Sequence, residues 1–587
     1  MTSEVRELRN QQSSMEQTTD TMDHAIAILQ QHKQEWTEVP IAQKLAYLKQ
    51  LEYNTGQVAE EWAKAGCAAK GIPENSPLSG EEWDSGPWSM LYALKRYGET
   101  LTAIAKTGYP ELKNNAVHVR SDGQVVVEVF PQSVYDKLLF NGITAKVWMQ
   151  RNVTKENLRE TMGTWYRQKE HIGKVALVLG AGNIASIAPL DVLYKLLAEG
   201  QTVLLKMNPV NDYLGPIFEK VFAPLIRDGF VQLAYGGVEA GKYLCTHSGI
   251  EEIHITGSAN THDAIVFGVG EEQKARKSRN EPANMRRITS ELGNVSPTIV
   301  VPGPWSEADL RFQAEHIVTQ KMHNGGFNCI ASQVLILPQQ WDKTEGLLQA
   351  IKDVVKKTPL RAAYYPGARQ RFSAAQLAHP DMEILESPQD SVPRAIIHQK
   401  DYTQINEFCF QTEAFGSVLT ETRLPGEDAA AYLKNAVEFC NTVLWGTLGA
   451  NIIIHPQTIK ALSAQFDDAV AALRYGTIAI NAWTGVGFLL TQAPWGAYPG
   501  HSLSDIQSGI GVVHNSLLFD KTEKTVIEAP FYPYPRSFAK GSFTIFPKPP
   551  WFVTHKHAAS LGKKLVQFEL RPSIGKLPTL FIDALRS

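Results

Sequence analysis

Between residues 21 and 105 apolar side chains return every three to four positions, as in AIAILQQHKQEW and IAQKLAYLKQLEY. That period predicts several amphipathic helices, and the segment carries no chemical motif. Residues 116–130, AVHVRSDGQVVVEVF, change to alternation around Ser121, Asp122 and Gly123, where the turn needs a residue that tolerates positive φ. A β-hairpin is predicted there. From 174 to 300, short β-branched runs (KVALVLG, TVLLK, VQLAYG, EEIHIT, PTIVV) alternate with helix-length segments such as PLDVLYKLLAEG. This is the grammar of βαβ units and predicts a parallel sheet. A second α/β-patterned region follows Pro302 and runs to about 475, so two α/β domains are expected. No internal repeat interrupts the pattern, which excludes solenoids and propellers.

Composition narrows the function. The 587 residues are 43% hydrophobic and 20% charged, with a formal charge of −3, so no global field favours nucleic acid or an anionic membrane. Cys67, Cys245, Cys329, Cys409 and Cys440 form no CxxC pair, which fits neither a disulfide framework nor a zinc site. The first twenty residues lack an apolar signal core, and the longest uncharged stretches contain Asn, Gln, Pro and His rather than a membrane span. A soluble cytoplasmic protein with a disordered tail over 1–20 is expected, with no metal site. Residues 531–587 differ, carrying seven prolines and nine Lys/Arg against two acidic residues. Such an extension is expected to strap over its own subunit or a neighbour, membrane contact being the lesser alternative.

Four residues stand out chemically. Cys329 in NGGFNCIAS follows two glycines and two asparagines at what reads as a helix start or tight turn, where a thiol can be lowered in pKa and reached by substrate. The other four cysteines have apolar neighbours and read as structural. Glu291 ends the apolar strand of ITSELGN, so its carboxylate is expected to project into the crevice where strands end. Asn183 in LGAGNIAS and Lys206 in TVLLKMNP flank one predicted helix, with an amide at its N-terminal side and an ammonium at the end of the next strand. The GAGN turn does not complete GxGxxG, since Ala185 stands where the third glycine belongs.

In order along the chain, Asn183, Lys206, ITGS at 255–258, ELGN at 291–294, NGGFNC at 324–329, EAFGSVL at 413–419 and LRYGTIAIN at 473–481 resemble the aldehyde dehydrogenase superfamily. Asn183 and Lys206 also keep that family's interval of twenty-three residues, and the resemblance covers residues 21–530. It implies an α/β, aldehyde dehydrogenase-like fold: two parallel-sheet α/β domains with a β-hairpin oligomerisation arm. The implied layout is an NAD(P)-binding Rossmann-like domain over 21–297, including the 116–130 hairpin, and a domain carrying the cysteine nucleophile over 298–478. Residues 479–530 would return to the cofactor domain and add an oligomerisation strand, and 531–587 would form the basic extension.

The resemblance implies NAD(P)-dependent oxidation of a small-molecule aldehyde to a carboxylic acid, in a homodimer or homotetramer. Cys329 matches the nucleophile that forms a thiohemiacetal and then a thioester, Asn183 the oxyanion donor and Glu291 the base that hydrolyses the thioester. Gly257 and Ser258 match positions near the nicotinamide, Glu413 the residue gripping its ribose, with Phe415 beside it, and Lys206 the residue bonding the adenosine ribose. Pro209 replaces the family's acidic partner of that lysine, which leaves NAD and NADP both open. Gly182 stands where an aromatic is usual, and the late segment PWGAYPGHSLSDIQSGIG at 494–511 lacks its basic residue. The aromatic run near Trp483 and Phe488 hints at an apolar substrate. The basic stretch EEQKARKSRNEPANMRR reads as a solvated loop, with contacts from its cluster Lys274, Arg276, Lys277, Arg279, Arg286 and Arg287 to the phosphates of NADP or coenzyme A as the sharper alternative. An acyl-CoA or acyl-phosphate reductase of the same fold, and a catalytically silent scaffold, are the competing functions.

Overall fold

A computed structural model of the chain describes residues 17–541, 544 and 546–587. Most of the expected N-terminal tail lies outside the described residues, and from Thr19 the chain is helical, its first turn capped by the Thr18 side chain. The helices Thr19–Glu38, Ile41–Ala69 and Ser89–Thr107 follow the three-to-four period and bury Leu29, Trp62, Leu91 and Leu101 along one face each.

Two sheets organise the rest. The smaller has six strands in the order Gly509–Ile510, Arg287–Leu292, Glu252–Gly257, Val175–Leu179, Thr202–Lys206 and Val231–Ala234. The last five are parallel, and Gly509–Ile510 closes one edge antiparallel. Val175–Val178 and Thr202–Lys206 are wholly buried, as expected for strands covered on both faces.

The larger sheet has eleven strands. Its centre is seven parallel strands running from Thr522–Glu528 through Thr477–Ile480, Gly449–Ile453, Ser296–Val300, Ser332–Pro338 and Ser417–Leu424 to Arg394–Lys400. The expected hairpin is present as Val117–Val119 and Val125–Phe130, its turn made by Gly123 at φ +84° and by Asp122, whose carboxylate accepts the Gln124 N–H at 3.1 Å. The hairpin does not hang free as an arm. Through Thr144–Met149 it joins Thr522–Glu528 and extends the chain's own sheet. The strand expected to serve oligomerisation is therefore an internal strand, and Val117–Val119, with His118 and Val119 exposed, is the open edge.

The C-terminal extension straps over its own chain. Arg536 pairs with Asp309, and Lys548 with Glu315 at 2.6 Å, both acids on the helix Glu307–Met322 that leads toward Cys329. Phe552 stacks on Phe312, and Leu561, Leu565 and Phe568 of the helix Ala558–Leu570 enter the same core as Trp88, Val125, Val127 and Phe130. Among the described residues no helix is long and apolar enough to cross a membrane.

Lys524 shows how the central strand is locked. Its buried ammonium donates to the carbonyls of Val470, Ala471 and Leu473 at 3.3, 2.8 and 2.7 Å, at the C-terminus of the helix Ala464–Ala472. Lys524→Met leaves three buried carbonyls without this donor and is expected to cost roughly 2–4 kcal/mol, read as a lower denaturation midpoint. Lys146→Met, which removes only the half-exposed pair with Glu528 at 2.9 Å, should cost less than about 1 kcal/mol in the same measurement.

Candidate active site

The C-terminal ends of the small sheet's strands face the loops of the large sheet across a cleft of about 1710 Å³. Each wall is set by a local feature of the sequence. After Val175–Leu179 the chain turns through Gly180–Asn183, and that turn is held by Asn208 and Asn211, whose amides donate to the carbonyls of Gly180 and Ala181 at 3.2 and 2.9 Å. A Cβ at Gly182 would stand 2.7 Å from the Asn208 amide oxygen, which accounts for glycine where an aromatic was expected. The Asn183 side chain is buried at the cleft wall and donates one N–H to the Phe327 carbonyl at 2.9 Å. An amide nitrogen carries two hydrogens, so the second remains for another acceptor.

Glu291 lies in the strand Arg287–Leu292, and Cys329 follows the tight turn His323–Gly326, three residues before the strand Ser332–Pro338. The two come from different sheets and meet in the cleft, with the Cys329 Sγ directed at Glu291 Oε1 at 3.7 Å. The Trp495 indole N–H donates to the same oxygen at 2.6 Å, and the other oxygen of Glu291 has no protein partner. Trp495 was not singled out from the sequence; it sits in the altered glycine-rich segment, and only its distant pairing with Glu291 reveals a role. Cys329 is half-buried, while the other four cysteines are buried.

Burial, with Asp191 nearby, pushes the Glu291 carboxyl up to about 8. Burial and the adjoining carboxyls of Glu291 and Glu413 push the Cys329 thiol well up. The sequence suggested a lowered thiol pKa, and this expectation is corrected. Cys329 does not begin a helix, and the groups that act on it most after burial are acids rather than cations. In the resting site the proton stays on the thiol and carboxyl pair.

Glu413 and Phe415 lie in the loop between Phe408–Gln411 and Ser417–Leu424 and face the same cleft. Glu413 packs so close to the Glu291 strand that a Cβ at Gly293 would stand 2.1 Å from its carboxylate. Its Oε1 is buried without a protein partner, and burial, opposed by Lys321, takes it up to about 8. Phe415 packs on Tyr365, with the Arg371 guanidinium donating to the Phe415 carbonyl at 3.3 and 3.2 Å. Lys206, lowered by burial, also lines the cleft, as do Gly257, paired in register with Leu292 beside Glu291, and Ser258, which caps the helix Ala259–Phe267.

The basic stretch forms a helix, Glu271–Arg279, rather than a loop. Arg276 is paired with Glu272 at 2.6 Å and Arg279 with Glu281 at 2.9 Å, and neither lines the cleft. Lys277 and Arg286 do line it. Phe488 and Trp483 are engaged in packing, Phe488 on Trp495 and His514 and Trp483 on His323.

Residues 144–371 match the model of the aldehyde dehydrogenase family. Among curated proteins, an aldehyde dehydrogenase of a Fusarium species is 28% identical over 187 residues, 31% of this chain and 35% of its own length. An aldehyde dehydrogenase of Deinococcus radiodurans is 24% identical over 349 residues, covering 56% of this chain and 61% of that one. The chain thus spans from about a third to about half of the curated relatives most similar to it. Among solved structures, an NAD-dependent aldehyde dehydrogenase from Sinorhizobium meliloti has a TM-score of 0.58 at 16% identity over 89% of each chain. An NADP-dependent glyceraldehyde-3-phosphate dehydrogenase from Bacillus halodurans, complexed with NADP, has a TM-score of 0.58 at 18% identity, covering 87% of this chain and 92% of that one. These likenesses carry the fold, and residues 144–371 are similar in sequence to the aldehyde dehydrogenase family.

Proposed function

We propose that this protein oxidises an aldehyde to a carboxylic acid with NAD or NADP as acceptor, through a thioester on Cys329. The observation that carries this reading is the Cys329 thiol facing Glu291 at 3.7 Å at the floor of a cleft large enough for a dinucleotide. The residues present fit such a cofactor. Glu413 offers a buried carboxylate oxygen without a protein partner to a ribose hydroxyl, and Lys206 lines the same cleft and offers an ammonium toward adenosine. With Pro209 in place of an acid, no carboxylate at that position repels a 2′-phosphate, so both cofactors are accepted on this reading.

Cys329 attacks the aldehyde carbonyl as the thiolate, its proton lost to solvent. A C–S bond forms, and the oxyanion takes hydrogen bonds from the free Asn183 amide N–H and from the Cys329 backbone N–H. Such donors typically contribute about 10²–10³ in rate. When bound, the nicotinamide supplies the hydride acceptor that turns this adduct into the thioester. Glu291, once ionised, removes a proton from water attacking the thioester, and Cys329 leaves as the product acid forms. The indole of Trp495 fixes the orientation of that carboxylate.

Mixed with short, long and aromatic aldehydes and NAD⁺ or NADP⁺, the purified protein should reduce cofactor, and Cys329→Ala should abolish the signal. Glu291→Gln should keep a single burst of reduced cofactor while steady turnover falls by about 10²–10⁴. No burst or turnover across the panel, with cofactor-dependent reduction of an acyl-CoA or acyl phosphate instead, would transfer the assignment to the reductase; inactivity in both directions would favour the scaffold.

The pH profile follows from Glu291. Its conjugate base is the active form, and its pKa is raised, so hydrolysis should climb with pH and reach half its limit near pH 8. Trp495→Phe removes a hydrogen bond to the ionised carboxylate and should move that midpoint upward by about one unit. A midpoint unmoved in this variant would remove Trp495 from the account.

A further inference from the structure

Four charged residues outside the cleft are buried together behind Asn183 and the turn that carries Cys329. Lys70 pairs with Glu82 at 2.7 Å, and Arg361 with Glu81 at 2.6 Å. Their side chains are between 1% and 7% exposed. Neither pair is fully satisfied: Glu81 Oε1, Glu82 Oε2 and Arg361 Nη2 are buried without hydrogen-bond partners in the protein. Buried ion pairs of this kind contribute little to stability and often less than apolar side chains of the same size. A role other than stability is needed to account for them.

Their remaining bonds all end on the catalytic backbone. Lys70 Nζ donates to the Asn183 carbonyl at 3.0 Å, and the same carbonyl accepts the Asn324 amide at 3.0 Å and the Tyr364 hydroxyl at 3.2 Å. Glu81 Oε2 accepts the backbone N–H of Asn324 at 3.2 Å, where the chain takes the left-handed conformation, φ +54°, to begin the turn. Asn324 and Asn183 then share the Phe327 carbonyl, at 3.1 and 2.9 Å. Arg361 and Tyr364 share one loop, and Glu81 and Glu82 share one short helix, Gly80–Trp83. The C-terminal extension presses on that helix: a Cβ at Gly80 would stand 2.6 Å from the Ala558 backbone.

We infer that Lys70, held by Glu82, is a positioning residue which, with Tyr364 and the Arg361–Glu81 pair, fixes the Asn183 amide at the oxyanion position. The inference rests on the proposed thioester chemistry of Cys329. Lys70 touches no substrate atom in this account. It acts through the Asn183 carbonyl, which three donors pin, so that the side-chain amide is preset to meet the developing oxyanion without reorganising.

Two cofactor-free reactions of Cys329 separate positioning from general damage. p-Nitrophenyl acetate acylates the thiol through a tetrahedral oxyanion, forming the C–S bond and expelling p-nitrophenolate. Iodoacetamide alkylates the same thiol by displacing iodide, with no oxyanion. Lys70→Met, and the doubly neutral Lys70→Met/Glu82→Gln, should slow acylation by about 30-fold or more, in the range of a lost oxyanion donor. Both should leave Cys329 alkylation, mapped by mass spectrometry, within about twofold of the parent, since thiol ionisation is untouched. Tyr364→Phe, which removes one hydroxyl, should slow acylation about 3- to 10-fold, the worth of one neutral hydrogen bond. If acylation and alkylation fall together, or if acylation is unchanged in Tyr364→Phe and in either Lys70 variant, the inference is overturned. If these variants behave as expected while the parent turns over no aldehyde, the dehydrogenase reading fails and the positioning role stands.

Discussion

The site depends on placing a carboxyl, Glu291, against a thiol, Cys329, in a space with little water, and each group comes from a different sheet. In the open, a glutamate would ionise near its ordinary value and a cysteine would exchange its proton freely with solvent. Buried together, both are pushed up, and on the proposed chemistry the thiol stays quiet until a carbonyl arrives to take its electrons. Among the described residues the Trp495 indole N–H and the thiol donate to that carboxyl, and the indole keeps it oriented without forcing it to ionise. A second hydrogen-bond donor there would make the base weaker by stabilising its anion.

That juxtaposition needs two sheets held in fixed relation, and the chain achieves this largely within itself. The strand Thr522–Glu528 joins the hairpin sheet to the parallel core, and Lys524 ties the same strand to the end of a neighbouring helix. The extension beyond 530 then binds the helix preceding the Cys329 turn and the short helix carrying Glu81 and Glu82. Its positive charge is partly explained by these contacts: Arg536, Lys548 and Lys564 each meet an acid, at Asp309, Glu315 and Asp583. These basic residues serve as internal clasps, in line with the strap expected from the sequence.

Much of the fold was legible because it is local. The change from helical spacing to β-branched runs marks each βαβ unit, and Ser121-Asp122-Gly123 marks its turn wherever the hairpin goes. Cys329 and Glu291 were legible from their Gly-rich surroundings and Glu413 only through the family resemblance, and the structure brings all three to one cleft with Asn183 and Lys206. That Thr144–Met149 carries the hairpin onto Thr522–Glu528 was not legible, because strand pairing across nearly 400 residues leaves no trace in either segment. The same holds for Trp495 on Glu291 and for the acids that neutralise Arg276 and Arg279. The thiol's pKa was misjudged because Gly and Asn before a cysteine suggested a helix start, whereas the chain bends into a strand.

The buried ion pairs behind Asn183 bring these observations together. A sequence reader sees Glu81, Glu82 and Lys70 as part of a solvated helical region, the usual place for charge. In the fold they lie with Arg361 under the Cys329 turn, three polar atoms of the four residues left unsatisfied, an arrangement that lowers stability compared with apolar packing. Charges are well suited to this position for a geometric reason. Apolar contacts tolerate small sliding motions, whereas an ammonium bonded at once to Glu82 and to the Asn183 carbonyl restricts both distance and direction. An oxyanion donor misplaced by a fraction of an ångström loses most of its effect, so on the proposed chemistry the stability given up behind the site is returned as precision within it.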